Sequence, residues 1–227
     1  DIFLGTAAGN MINPRILIVL DNTSNWSRQN QQWPGGKTQG QSEADAISTV
    51  IRSLQYDENA PEEKKVSVGL MEFVTGGSSN DDGGFIRSAV RELTAGNVTS
   101  FAAELTEISG DINGTTEKRS SGTPYGNLMS DVNNYFAGAN AHSPTATLAS
   151  KADTDGYQTA FSRYKSPLTS ANTCGRSFVI FIGNPNASGP SADTAANTAL
   201  LKAANGNVTP PQLGLPDFYS GAQTTKY

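Results

Sequence analysis

The fold of this chain is decided by one short stretch, Arg15–Leu20, which reads RILIVL and is followed directly by Asp21 and Asn22. Five apolar residues in succession, without alternation, predict a strand that is buried on both faces. Strands of this kind lie at the centre of parallel sheets, where helices cover both sides. The polar turn that begins at Asp21 therefore places a carboxylate at the end of a central strand.

Three further stretches predict strands in the same sheet. Residues 66–73 and 85–90 are rich in apolar residues, and Ser177–Ile182 is again apolar at five consecutive positions. The long segment 137–173 shows no period that predicts a helix or a strand. The chain is therefore expected to combine a small apolar scaffold with many loops.

Helices are predicted between these strands. Apolar residues recur at helical spacing from a capping-box-like start at Ser42, and again across residues 101–108. A third helix is predicted after Thr123 and Pro124, since a cap residue there precedes a proline at the first helical position. An alanine-rich helix is predicted over residues 195–204. This order predicts an α/β fold, with an open sheet of mostly parallel central strands flanked by helices.

Length and composition limit the function classes. The chain has 227 residues and no internal repeat, so one domain over residues 1–227 is expected. It carries a net charge of −5 and no basic patch, which argues against nucleic-acid binding. No apolar run reaches the roughly 20 residues of a membrane span. A single His (His142) and a single Cys (Cys174) leave little material for a hydrolase triad or a thiolate metal centre, so the protein is not expected to be an enzyme.

Polar side chains are predicted to converge where the central strands end. Asp21, Thr23 and Asn25 follow the first strand, Thr123 precedes a helix, and Asn184 follows the last strand. Carboxylate, hydroxyl and amide oxygens suit Mg²⁺ or Ca²⁺ better than zinc. A simpler explanation is that Asp21 and Asn184 are turn residues and that Thr123 is a helix cap.

The loop over residues 21–25 reads DNTSN, and the arrangement resembles the von Willebrand factor A domain with its metal-ion-dependent adhesion site. That family has Asp-x-Ser-x-Ser in this loop, a Thr in a middle loop and an Asp after the fourth strand. The resemblance implies that Ca²⁺ or Mg²⁺ would be held by Asp21, Thr23, Asn25, Thr123 and Asn184. Two positions depart from the family pattern: Asn25 stands in place of Ser, and Asn184 in place of Asp. Only one formal carboxylate remains, so a weakened ion site is expected.

A narrower resemblance is to the N-terminal domain of PilY1/PilC-type proteins, the tip-associated adhesins of bacterial type IV pili. It rests on four blocks that occur in the family's order. These are DIFL at residues 1–4, NPRILIVLDN at 13–22 before a Trp-containing loop, SGTPYG at 121–126, and CGRSFVIFI at 174–182. The third block is similar to the family's Gly-Gly-Thr-Pro-Leu-Gly segment.

The resemblance implies a noncatalytic adhesion or pilus-assembly domain at the pilus tip, outside the cell. Its expected partners are minor pilins or other pilus components and a host or abiotic surface ligand. Trp26 and Trp33 flank the expected ion site and are candidates for partner contact, although they could equally cover the sheet edge.

Two further expectations concern the whole protein. An A domain continues with a helix and two more strands, so this chain is expected to be C-terminally truncated, as the N-terminal module of a longer protein. The alternative function is an A-type domain that acts as an intracellular assembly or chelatase-type scaffold, which the lack of paired cysteines permits.

Overall fold

A computed structural model provides the structure of the protein. It describes residues 13–29, 33–54, 57–61, 65–75, 82–118, 125–143, 150–169 and 175–184, together with residues 195, 199, 202 and 203. Within the described part, the strands are β1 (Arg15–Leu20), β2 (Ser67–Phe73), β3 (Gly84–Glu92), β4 (Tyr157–Thr159), β5 (Arg163–Tyr164) and β6 (Ser177–Ile182). The helices are α1 (Gln39–Ser53), α2 (Ala95–Gly110) and α3 (Tyr125–Ala137).

The main sheet has four strands in the order β3-β2-β1-β6. β1 pairs in parallel with β2 on one side and with β6 on the other, while β3 runs antiparallel to β2. β4 and β5 form a small antiparallel pair of their own. The predicted α/β fold, an open and mostly parallel sheet flanked by helices, is confirmed.

β1 lies at the centre of two hydrophobic layers. Ile18 and Leu20 pack on the side covered by α1 and α2. Leu17 and Val19 pack on the opposite side, which is covered by α3 and the β4–β5 pair. Because β1 contributes to both layers, it needs apolar residues at consecutive positions. This explains the unbroken apolar stretch in the sequence.

Two helices begin earlier than the sequence pattern indicated. α1 begins at Gln39 rather than near Ser42, because the hydroxyl of Thr38 accepts a hydrogen bond from the backbone N–H of Gln41, whose side chain bonds back to Thr38. α2 begins at Ala95, six residues before the predicted start, with Thr94 as its N-cap. The first turns, QGQS in α1 and AGNV in α2, lack regularly spaced large apolar residues, so the apolar spacing did not mark where these helices begin.

β6 is apolar like β1 but is not buried like it. Its four central side chains are 39–48% exposed: Phe178, Val179, Ile180 and Phe181. Within the described residues, β6 has a neighbouring strand on one side only. An apolar stretch therefore predicted the strand correctly, but not how much of it would be covered.

The opposite edge of the sheet is protected by side chains. Four backbone N–H groups of β3 donate to side-chain oxygens at 2.8–3.0 Å: Gly84 to Asp131, Ile86 to Tyr157, Ala89 to Asp153 and Val90 to Tyr135. The acceptors come from α3 and from residues 153–157. These bonds use donors that an unprotected edge strand would offer to another chain.

A buried ionic cluster lies beneath α2. The side chain of Arg87 is fully buried and donates to Glu104 at 2.9 Å and to both oxygens of the buried Glu117 at 3.0 and 3.2 Å. Lys151 also pairs with Glu117 and with Glu107. Breaking such a cluster by removing one partner would leave an uncompensated buried charge.

Glu72, on β2, lies next to this cluster but is not bonded to it. Its side chain is fully buried, and within the described residues neither carboxylate oxygen has a hydrogen-bond partner. Burial raises the pKa of Glu72 to about 8, because the nearby charge of Arg87 only partly offsets the loss of water. The native state thus keeps a neutral carboxyl group here at pH 7.

We predict that Glu72→Gln stabilises the protein above neutral pH. The pKa of Glu72 is raised on folding from 4.5 to about 8, so the native state holds this proton more tightly than the unfolded chain. Stability should then fall as pH rises between these two values, and it should fall less in the variant. The gain at pH 8 should be on the order of 2 kcal/mol, measured by urea unfolding from pH 4.5 to 8.5.

The exposed Glu58→Gln is the matched control and should follow the wild-type pH profile. Parallel profiles for wild type and Glu72→Gln would contradict the assignment of the titration to Glu72.

Candidate functional site at the carboxyl ends of β1 and β6

The candidate site lies where the strand order of the sheet reverses. From β1 the chain passes through α1 to β2 on one side, whereas β6 returns to the other side of β1. Open α/β sheets bind ligands at such a switch point, beyond the carboxyl ends of the strands. Asp21 follows β1 directly, and Asn184 follows β6 by two residues. The backbone N–H of Asp21 donates to the carbonyl of Ile182 at 3.0 Å and so holds the two strand ends together.

Asp21 is the centre of a closed hydrogen-bond network. Its side chain is fully buried. Oδ1 accepts the backbone N–H of Thr23 at 3.1 Å, and Oδ2 accepts the backbone N–H of Asn184 at 3.0 Å. The hydroxyl of Tyr125, the first residue of α3, also donates to Oδ2 at 2.5 Å. One carboxylate therefore joins β1, β6 and α3.

Asn184 forms the second half of the network. Its side-chain Nδ2 donates to the hydroxyl of Thr23 at 3.0 Å and to the carbonyl of Thr23 at 3.2 Å. Its Oδ1 is buried and has no hydrogen-bond partner among the described residues. Asn184 thus binds Thr23 through its amide nitrogen rather than through its oxygen. We define the β1–β6 site as Asp21, Thr23, Tyr125 and Asn184.

The structure brings together only some of the residues predicted for an ion site. Asp21, Thr23 and Asn184 lie in mutual hydrogen-bond contact. Asn25 lies in a half-buried position in the 3₁₀ turn Ser24–Ser27, and its side chain is not among the described groups that bond to Asp21. Thr123 lies outside the described residues.

Two residues near the site were not predicted from the sequence. Tyr125 occupies the position where the pilus family's Gly-Gly-Thr-Pro-Leu-Gly segment has Leu, and that difference was the available signal. Glu43, on α1, is a second carboxyl group near the site, and the charge of Asp21 contributes to raising the pKa of Glu43. No pattern in the sequence marked Glu43 beyond its place near a helix start.

Burial governs the ionisation of both carboxyl groups. The pKa of Asp21 is raised by burial, although hydrogen bonds from Tyr125, Asn184 and Thr23 oppose the shift. Burial raises the pKa of Glu43 to about 7, hydrogen bonds from Gln39 and Trp26 oppose this, and the charge of Asp21 adds to it. Two buried carboxyl groups this close together are both harder to ionise. The negative charge of this region near neutral pH is therefore limited.

Trp26 is a core residue, which corrects the expectation that it contacts a partner. Its side chain is fully buried among the residues under α1, and its indole N–H donates to Glu43 at 2.8 Å. Gly40 makes this position possible, because a Cβ at residue 40 would lie within 2.5 Å of indole atoms Cδ2 and Nε1. Trp33, by contrast, is 46% exposed. Only Trp33 is available to a partner in this structure.

Within the described residues, the β1–β6 site offers a divalent cation a single carboxylate, that of Asp21. Within the described parts of the chain, no three His, Cys, Asp or Glu side chains converge as metal ligands. The single carboxylate of the β1–β6 site already accepts protein donors, and Asn184 turns N–H groups toward Thr23. A hard cation needs several oxygen ligands, and its affinity depends on their charge.

A second polar region lies at the other end of the sheet. A cavity of about 490 Å³ separates β3 from α2 and residues 150–154, with Arg87, Arg91, Lys151, Glu104 and Asp153 in its lining. Each of these cations is paired: Arg87 with Glu104, Lys151 with Glu107 and Glu117, and Arg91 with Asp153 and Asp155. The three cations of this lining are therefore all engaged by carboxylates of the protein. We interpret the cluster as part of the structural core rather than as a ligand site.

Comparisons with protein-family models, with curated proteins and with solved structures find no match to this chain. Within the described residues, no helix has the length and apolar character needed to cross a bilayer. The function must therefore be argued from the residues of the site and from the motifs of the sequence.

We predict that Gly40→Ala destabilises the protein by about 1–3 kcal/mol, because the new methyl group would overlap the buried indole of Trp26. Gly96→Ala is a matched control: it too is the second residue of a helix that follows a Thr N-cap, but an added Cβ meets no atom within 4 Å. This control should be neutral or stabilising, by up to about 1 kcal/mol. Thermal unfolding of both variants checks the prediction, which equal effects would contradict.

Proposed function

We propose that this chain is a noncatalytic adhesion or pilus-assembly domain of the von Willebrand factor A type, which acts at the tip of a bacterial type IV pilus. It would bind minor pilins and surface ligands through the loops at the carboxyl ends of β1 and β6. This function places the protein outside the cell. The proposal rests on the sequence blocks described above and on one structural observation.

That observation is the meeting of Asp21, Thr23 and Asn184 at the switch point between β1 and β6. The sequence resemblance implied that these residues would meet, although Asn184 lies more than 160 positions from the other two in the chain. The strand order β3-β2-β1-β6, with antiparallel β3 at the edge, is compatible with an A-type domain. The arrangement of the loops is thus the one that the A-type resemblance implies.

A noncatalytic function is supported by the chemistry of the described residues. The only histidine, His142, is half-buried, and its backbone N–H donates to Asp131 at 2.8 Å. The buried carboxylates of the β1–β6 site and of the Arg87 cluster are engaged in structural hydrogen bonds. Recognition through a polar loop surface requires none of these groups to react.

The loop between β1 and α1 supplies the exposed surface. Arg28, Gln29 and Trp33 are exposed there, close in sequence to the buried Trp26. The short bridge between Trp33 and Lys37 closes a turn that presents the indole. An exposed aromatic side chain in a loop that also exposes cationic and amide residues is typical of a protein contact.

Peptide mass spectrometry of filaments sheared from the source cells tests the proposed location. Peptides of this chain should be found together with pilins in the purified filament fraction. The same chain found in the cytoplasm and absent from the filaments would overturn the pilus function, and would favour the intracellular scaffold function instead.

We predict that Trp33→Ala weakens binding to purified minor pilins of the same organism by about tenfold or more, measured by biolayer interferometry. The melting temperature should not change, because the side chain is half-exposed. Val50→Ala is a matched control, since Val50 is also an exposed apolar residue (57%) but lies on α1. Equal binding by wild type and Trp33→Ala would remove Trp33 from the proposed contact surface.

A further inference from the structure

We propose that the hydroxyl of Tyr125 and the side-chain amide of Asn184 take the place of a divalent cation at the β1–β6 site, so that this site is held together without a metal ion. The proposal concerns only contacts within this chain and does not depend on the pilus function. Three features of the site support it.

The first feature is that the carboxylate of Asp21 is already engaged by donors of the protein. A carboxylate can accept about four hydrogen bonds, two on each oxygen. Oδ2 accepts two, from the hydroxyl of Tyr125 and the backbone N–H of Asn184, and Oδ1 accepts the backbone N–H of Thr23. An ion at Oδ2 would have to displace one of its two donors.

The second feature is the orientation of the Asn184 amide. The carbonyl oxygen of Thr23 can only accept a hydrogen bond, so the side-chain nitrogen of Asn184, and not its oxygen, must face Thr23. An amide nitrogen that carries two protons cannot ligate a cation. In this orientation Nδ2 makes two hydrogen bonds to Thr23, so the link between the loops after β1 and β6 needs no ion, while Oδ1 stays buried without a partner among the described residues.

The third feature is that the hydroxyl of Tyr125 is held in place by its ring. The ring stacks on Phe73 at a centroid distance of 6.0 Å and meets the edge of Phe181 at 5.1 Å. Phe73 ends β2 and Phe181 lies near the end of β6. These contacts fix the ring between two strand ends, so its bond to Asp21 is part of the packed structure.

The consequence is that α3 is fastened to the sheet by side chains. A cation would link the loop after β1 to the loops beside it through shared ligands. Here a hydroxyl and an amide make the same links, and they carry no charge that would require a second carboxylate. Binding by this face should therefore be insensitive to chelators.

The test is thermal unfolding of the 227-residue chain in EDTA, in CaCl₂ and in MgCl₂, each at about 5 mM, above the dissociation constants typical of weak extracellular calcium sites. The melting temperature should differ by less than about 1 °C among the three conditions. A rise of about 5 °C or more in either ion, abolished by Asp21→Asn, would overturn the proposal. Equilibrium dialysis of the wild type with radioactive Ca²⁺ gives the same answer without any variant.

The double variant Tyr125→Phe/Asn184→Asp tests whether these two side chains exclude the ion. Phe keeps the ring contacts but removes the donor, and Asp restores a second carboxylate. The variant should melt below wild type in EDTA, because two carboxylates then repel each other, and its melting temperature should rise in CaCl₂. A folded double variant that does not respond to ions would overturn the roles given to Tyr125 and Asn184. Tyr125→Phe alone separates the loss of the hydrogen bond from the gain of charge.

Discussion

The structure depends on the burial of β1 on both of its faces. The main elements around this strand are placed by it: β2 and β6 pair with its two edges, α1 and α2 cover one face, and α3 covers the other. From Ile16 to Leu20 this strand carries only apolar side chains. Asp21 is the first polar residue after them, and its carboxylate accepts donors from Asn184, just after β6, and from Tyr125 of α3.

The same constraint explains which features the sequence predicted. The continuous apolar stretches of β1 and β6 predict strands of a parallel sheet, and for β1 the expected burial on both faces is also observed. Residues that end neighbouring parallel strands must also meet, which is why Asp21, Thr23 and Asn184 were grouped correctly. These predictions use only the pattern of apolar residues along the sequence and the geometry of sheets. They do not require knowing which distant side chains pack together.

Other features depend on contacts that no local pattern records. The burial of Trp26 requires the missing side chain of Gly40, which lies fourteen positions away. The hydroxyl of Tyr125 reaches Asp21 across 104 positions. The composition of β6 is similar to that of β1 and suggested the same burial on both faces. Its side chains are nevertheless exposed, because exposure depends on the elements that lie beside the strand. An aromatic residue in a polar loop can equally be a core residue or a surface residue, and only the packing decides.

The protected edge of β3 has a consequence for how this molecule meets others of its kind. Its amides are already bonded to Asp131, Tyr157, Asp153 and Tyr135, and the backbone N–H of Asp153 takes up the carbonyl of Ile86. A neighbouring chain could pair with β3 only after those bonds were broken. Accidental sheet-to-sheet association is thus blocked at this end of the sheet, and two such molecules cannot join into a continuous ribbon through their β3 strands.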